Sequence, residues 1–225
     1  MSYYPIFLSL KDRECLVVGA GEVGRRKIEG LVRGGAGRVV VVDTAEPAGE
    51  MAELAAMPEV DFQVRGFEDE DLDGKWLVIA STSSEEVNWR ISNLCRERGI
   101  LCNIVDQPEK CSFIVPAVVQ QGDLTLAVST GGSSPAMAKR IRRDLQSAFG
   151  EEYARMLLVM SRLRPLVLGL DRPTSENTKV FQAVVASGLM DALARADAAD
   201  AAEELEAVLP QELHPRIPEV LDAVC

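Results

Sequence analysis

The sequence predicts an α/β protein: a parallel sheet with covering helices, followed by a small α+β segment and a helical C-terminal region. Three observations predict it. Short β-branched runs alternate with amphipathic stretches over roughly the first hundred residues. After Pro108 two strand-like runs follow one another across a short polar turn, and from residue 151 onward the composition favours helix. Strands are expected at residues 15–18, 38–42, 61–64, 76–80 and 100–105. All but the third are nearly continuous in apolar residues, as a strand covered on both faces requires. Between the last two, Ser83-Ser84-Glu85-Glu86 reads as a capping box opening a helix that runs to Arg98 and stops at Gly99.

Residues 112–119 and 123–129 are the later pair of runs, separated by Gln120-Gln121-Gly122, a hairpin spacing rather than a crossover. Ser134 then offers an N-cap and Pro135 suits the first helical position. Met137, Ile141, Leu145 and Ala148 recur at near-helical spacing up to Gly150, so one face of this helix is expected to be buried. Lys139, Arg140, Arg142 and Arg143 fall on its other face. Further on, residues 180–194 are apolar-rich, and 197–207 form an Ala/Asp/Glu stretch that reads as a solvated helix face.

With 225 residues, 47% of them hydrophobic, the chain can bury a substantial core. Its net charge of −11 argues against nucleic acid or an anionic membrane as partner, because phosphate binding relies on an excess of Lys and Arg. No run approaches the roughly 18 apolar residues of a membrane helix, and Met1-Ser2-Tyr3-Tyr4-Pro5 lacks the basic-then-apolar order of a leader; a cytoplasmic protein is expected. The cysteines, Cys15, Cys95, Cys102, Cys111 and Cys225, are odd in number and none has CxxC spacing. Reduced thiols and no metal site are expected.

Gly19-Ala20-Gly21-Glu22-Val23-Gly24 follows the first strand and opens a helix, so its backbone amides are placed to bind a pyrophosphate. The next strand ends in Val39-Val40-Val41-Val42-Asp43, with Asp43 where an acid meets adenosine ribose hydroxyls, followed by Thr44. This is a Rossmann fingerprint that favours NAD over NADP, since a carboxylate repels a 2′-phosphate; Arg25 or Arg38 nearby would soften the preference. Three further segments lie where strands or hairpins end: Ala80-Ser81-Thr82-Ser83, Asn103-Ile104-Val105-Asp106, and Ser129-Thr130-Gly131-Gly132-Ser133-Ser134-Pro135.

In these segments the chain resembles the precorrin-2 dehydrogenase and sirohydrochlorin ferrochelatase family, the N-terminal part of siroheme synthase. Pro5-Ile6-Phe7, Val17-Val18-Gly19-Ala20-Gly21-Glu22-Val23-Gly24-Arg25-Arg26-Lys27, Cys102-Asn103-Ile104-Val105-Asp106, Ser112-Phe113-Ile114-Val115-Pro116-Ala117 and Val128-Ser129-Thr130-Gly131-Gly132-Ser133-Ser134-Pro135 carry the resemblance, in order, over about residues 1–150. It implies NAD-dependent oxidation of precorrin-2 to sirohydrochlorin, followed in some members by iron insertion, in an intertwined homodimer built through the segment after Pro116. The implied organisation is an NAD-binding Rossmann domain at 1–115, a dimerisation and substrate segment at 116–150, and a helical C-terminal domain at 151–225. These 225 residues hold no room for the long methyltransferase of some siroheme synthases, so separate enzymes are expected to make precorrin-2.

The family's functional aspartate falls on Asp106, a carboxylate suited to take a proton; by residue type alone, Asp before Gln-Pro is equally a turn former. The cofactor residues are expected to be Gly19, Gly21, Glu22, Val23, Gly24, Asp43, Thr44, Ser81 and Thr82. Asn103, Ser129, Thr130, Gly131, Ser133, Lys139 and Arg140 are expected to meet the substrate carboxylates, helped by the Arg25-Arg26-Lys27 cluster. Thr130 stands where some relatives carry a regulatory phosphoserine. His214 is the single histidine and reads as a surface residue. Two other functions stay open: a bifunctional dehydrogenase and ferrochelatase, and an NAD-sensing regulatory module without turnover.

Overall fold

The computed structural model describes residues 3–224; Met1 and Ser2 of the expected leaderless start, and the thiol of Cys225, lie outside the described residues. The chain divides into two compact units, Met1–Val115 and Pro116–Cys225.

In the first unit β1 (Glu14–Val18), β2 (Arg38–Asp43), β3 (Val60–Val64), β4 (Leu77–Ala80) and β5 (Leu101–Ile104) form one parallel sheet in the order β3-β2-β1-β4-β5. Every strand end falls within one residue of its expected position. Helices α1 (Glu22–Arg33), α2 (Glu50–Ala55) and α3 (Glu85–Arg98) make the crossovers, and a single 3-10 turn at Asp69–Leu72 connects β3 to β4. The period-2 geometry of a strand explains why the runs are continuously apolar. Cys15, Val17, Val39, Val41, Leu77 and Ile79 point to the face covered by Ile28 and Leu31 of α1, while Leu16, Val18, Val40, Val42 and Val78 point to the face covered by Ile91 and Cys95 of α3. Each fully buried Val, Leu or Ile contributes about 1.5–3 kcal/mol. Chain order reverses beside β1, whose neighbours are β2 and β4. That opens a crevice at the carboxyl ends of the strands.

The second unit begins with the antiparallel hairpin of β6 (Ala117–Gln121) and β7 (Leu124–Val128), then α4 (Pro135–Ala148). Among the described residues five more α-helices follow: α5 (Glu151–Leu168), α6 (Thr174–Ala186), α7 (Leu189–Ala194), α8 (Ala198–Val208) and α9 (Ile217–Leu221), with a 3-10 turn at Gln211–Arg216 before the last. Their core gathers Val159, Leu163, Val184, Leu189, Leu193 and Leu205.

Four expectations need correction. The cap of α3 is Ser84, whose Oγ accepts from the Val87 amide at 3.3 Å, and not Ser83. The first hairpin strand starts at Ala117 rather than at residue 112, because Ser112 is held on the backbone of Cys102: its amide donates to the Cys102 carbonyl at 2.9 Å, and its Oγ accepts from the Cys102 amide at 2.8 Å. The apolar run 180–194 is broken at Ser187-Gly188 into two helices, where Glu204 accepts from the Gly188 amide at 2.8 Å. Finally, α4 buries none of its residues; Ala138, Ile141 and Leu145 reach only intermediate exposure and Met137 stays half exposed.

Candidate active site

The three fingerprint glycines have different duties. Gly19 takes φ +94°, and a Cβ there would lie 2.7 Å from the Ser81 carbonyl carbon. A Cβ on Gly24 would meet the Gly19 carbonyl oxygen at 2.0 Å, so α1 can start this close to β1 only without a side chain at that position. At Gly21, the N-cap of α1, nothing lies within 4 Å of an added Cβ, and no side chain caps the helix. Gly19 and Gly24 therefore build the turn. Gly21 leaves the uncapped, electropositive helix start open to an anion.

The turn is tied to both neighbouring strands. Asp43 at the end of β2 accepts from the Ala20 amide at 2.5 Å and, through its other oxygen, from the Ala45 amide at 2.8 Å. Past β4, the Ser81 Oγ donates to the Gly19 carbonyl at 2.7 Å. Thr82 is held in turn by Asn88 of α3, whose Nδ2 donates to the Thr82 carbonyl at 3.0 Å. Asn88 was missed by sequence reasoning. The available signal was a polar residue on the helix face shared with Ile91 and Cys95, where burial demands a partner.

Gly19, Gly21, Asp43, Thr44, Ser81 and Thr82 line one pocket of about 430 Å³, which Arg65, Phe67 and Val87 help to close. Glu22, exposed, and Val23, half-buried, sit in the adjoining first turn of α1 and do not line it. The donor set fits a dinucleotide: free helix amides for the pyrophosphate, a carboxylate for ribose hydroxyls, and apolar walls. Sequence reasoning overlooked Arg65, which Asp71 of the 3-10 turn holds by two hydrogen bonds. Burial alone would raise the Asp71 carboxyl, but the bonds from Arg65 and from the Glu68 amide outweigh it and keep it below the ordinary carboxylate value.

On the same carboxyl edge, Asp106 lies two residues past β5, exposed and in the left-handed region at φ +61°. Cys111 pins this turn from behind, donating to the carbonyls of Ile104 and Gln107 at 3.2 Å and accepting from the Ile104 amide at 3.1 Å. Trp89 donates to the Gln107 side chain at 2.6 Å. Asn103 sits inward: it is 8% exposed, and its Nδ2 donates to the Phe113 carbonyl at 3.0 Å, fastening the segment after the turn.

The basic cluster of α1 separates into two kinds of residue. Arg25 is paired with Glu29 and Glu50, and Arg26 with Glu22. Among the described residues no carboxylate lies within 4 Å of Lys27, which is half-buried. Burial and the adjacent Arg26 push the Lys27 ammonium below its ordinary value; Cys111 and Asp106 act in the opposite direction, which puts Lys27 within electrostatic reach of the Asp106 turn.

In the second unit, the loop before α4 is locked internally. The Thr130 hydroxyl bridges the Ser134 carbonyl at 3.1 Å and amide at 3.2 Å, the Ser129 Oγ accepts from the Gly131 amide at 3.1 Å, and the Ser133 amide donates to the Thr130 carbonyl at 3.0 Å. Gly131 and Gly132 supply the positive φ angles, +63° and +87°. Lys139 and Arg140 stand exposed on α4, Arg140 facing Asp144 at a loose 3.8 Å. His214 is tied to the Leu209 carbonyl at 3.0 Å. No group of three or more His, Cys, Asp or Glu suited to a metal occurs among the described residues, and no helix among them is long and apolar enough to cross a membrane.

An NAD(P)-binding family model matches residues 6–117, and a model described as sirohaem biosynthesis protein central matches residues 121–148. The siroheme synthase of Thioalkalivibrio sulfidiphilus is 40% identical over 96% of this chain and 44% of its own length; siroheme synthase 1 of Aeromonas salmonicida is 33% identical over 94% and 45%. The chain thus spans less than half the length of these relatives. Among solved structures, SirC, a precorrin-2 dehydrogenase, superposes with a TM-score of 0.69 at 24% identity, covering 99% of this chain and 98% of that one; the likeness carries the fold, Rossmann-type sheet and helical C-terminal region together. With both models in order and relatives aligned along almost its whole length, the chain belongs to the family formed by the NAD(P)-binding and central parts of the siroheme synthases.

Proposed function

We propose that this chain oxidises precorrin-2, an acidic tetrapyrrole, to sirohydrochlorin with NAD. The observation that carries the reading is the sharing of one sheet edge by the glycine turn, the Asp43 pocket and the exposed, fixed Asp106 turn. NAD, when bound there, supplies the hydride acceptor. The substrate loses a hydride and a proton, and the Asp106 carboxylate takes or orients that proton. The Cys111 contacts hold the turn still, so the carboxylate is positioned without reorganisation.

In the first unit Lys27 is a donor for a substrate carboxylate, and in the second Lys139, Arg140 and the Ser129 and Ser133 hydroxyls, on the loop that Thr130 and Gly131 shape, are donors of the same kind. Arg25 and Arg26, already paired, contribute less. The chain works as a homodimer. In support, α4 buries nothing and Val118 and Met137 remain 41% and 50% exposed, an apolar surface suited to a second copy. Buried thiols such as Cys15, pushed up to about 11 by burial, suit the reducing cytoplasm in which we place the activity.

The test is anaerobic NADH formation from precorrin-2 and NAD, with Asp106→Asn as the variant, because Asn tolerates the left-handed backbone that Ala would strain. Wild type should form NADH; the variant should lose turnover by about a hundredfold with NAD affinity intact. NADH from neither, in a folded protein that binds NAD, would point to the sensor. Ferrous iron consumed above the spontaneous rate would add the chelatase.

A further inference from the structure

Arg65 follows β3 directly, and its backbone amide donates to the Asp43 carbonyl at 2.8 Å, so the guanidinium and the ribose carboxylate stand on hydrogen-bonded neighbouring strands. All four terminal N–H groups of that guanidinium are engaged. Nη1 donates to the Gly66 carbonyl at 3.0 Å and to Asp71 Oδ2 at 2.8 Å. Nη2 donates to Gln63 Oε1 at 2.5 Å and to Asp71 Oδ1. Asp71 cannot drift: its side chain is 9% exposed, and it also accepts from the Glu68 amide at 2.9 Å as the far half of a capping box.

Arg65 nevertheless lines the cofactor pocket. A guanidinium whose terminal hydrogens point at fixed protein acceptors has little left for a ligand but its flat face. A 2′-phosphate needs the edge, by paired N–H bonds. An aromatic ring needs the face, which stacks and attracts a π-system through its charge. The clamp also removes the rotamer entropy that ligand binding would otherwise cost.

We propose that Arg65 is the purine platform of this pocket: its face receives the adenine ring, and its occupied terminal edge leaves a 2′-phosphate no free pair of guanidinium N–H donors, adding to the repulsion from Asp43. The proposal rests on the pocket being a dinucleotide site.

Titration calorimetry of the full chain with NAD, AMP, NADP and nicotinamide mononucleotide tests it. Wild type should bind NAD at least tenfold more tightly than NADP. Arg65→Met should weaken NAD and AMP alike by about tenfold and leave nicotinamide mononucleotide unchanged, and Arg65→Lys, with charge but no plane, should not restore them. Because Arg65→Met leaves Asp71 unpaired, Asp71→Asn is the second variant. It releases an edge hydrogen and a compensating charge, so NADP should gain on NAD by several-fold, whereas a loosened fold would weaken both equally.

Unchanged NAD affinity in Arg65→Met, full rescue by Arg65→Lys, an equal loss for nicotinamide mononucleotide, or wild-type NADP affinity matching NAD would each overturn the platform. A folded wild type without NAD affinity would overturn the dinucleotide reading beneath it as well. That result is distinguishable because it needs no variant.

Discussion

The Asp43 carboxylate accepts a hydrogen bond from the Ala20 backbone amide at 2.5 Å. The acid assigned to the ribose is thus also a strut of the glycine turn, joining the end of β2 to the loop after β1. Asp43→Ala should therefore act twice. It removes the ribose acceptor and leaves the half-buried Ala20 amide without its partner, at about 1–3 kcal/mol for such a loss, while the exposed Ala45 amide turns to water. A drop in both NAD affinity and melting temperature is expected, and a variant with normal stability would show the strut to be dispensable.

The glycines separate folding from binding. Gly24→Ala would drive a methyl to 2.0 Å from the Gly19 carbonyl, so α1 must move, costing about 1–3 kcal/mol or more by urea unfolding. Gly21→Ala meets nothing within 4 Å and should leave stability within about 0.5 kcal/mol of wild type. Its methyl stands where the pyrophosphate approaches the helix start, so NAD affinity should fall at least tenfold. Equal affinity would place the pyrophosphate elsewhere.

Four of the five strands were legible because each is a run of mostly buried β-branched and other apolar residues with helices on both sides, and the turn because Gly19 and Gly24 obey steric necessity. What stayed hidden depends on partners distant in sequence. Asn88 matters through the Thr82 carbonyl, Arg65 through Asp71, and Cys111 through the backbone of Ile104. Nor could periodicity decide whether α4 finds a covering surface within its own chain. Its apolar spacing is real, yet the described residues leave that face half open.

Lys27 offers a test of the substrate side. Arg25 and Arg26 are held by Glu29, Glu50 and Glu22, so Lys27 is the member of the α1 cluster with its charge uncommitted. Lys27→Met should raise KM for precorrin-2 about tenfold and leave NAD affinity unchanged, with Lys27→Arg recovering most of the loss. An unchanged KM would assign the substrate carboxylates to other cations.

The Arg65–Asp71 pair makes a prediction in pH. The Asp71 carboxyl is held below its ordinary value of 3.8, so the folded state binds a proton there less readily than the unfolded chain does. Its stabilisation is fully present above that value and is lost as pH falls through the lower, folded one. Urea unfolding followed from about pH 6 down to about pH 2.5 should show wild type losing stability more steeply than Asp71→Asn at the acid end, with the two slopes converging near neutrality. Parallel slopes throughout would mean that Asp71 is as easily protonated folded as unfolded. Arg65 would then be held by geometry alone, without the charge pairing that keeps its edge occupied.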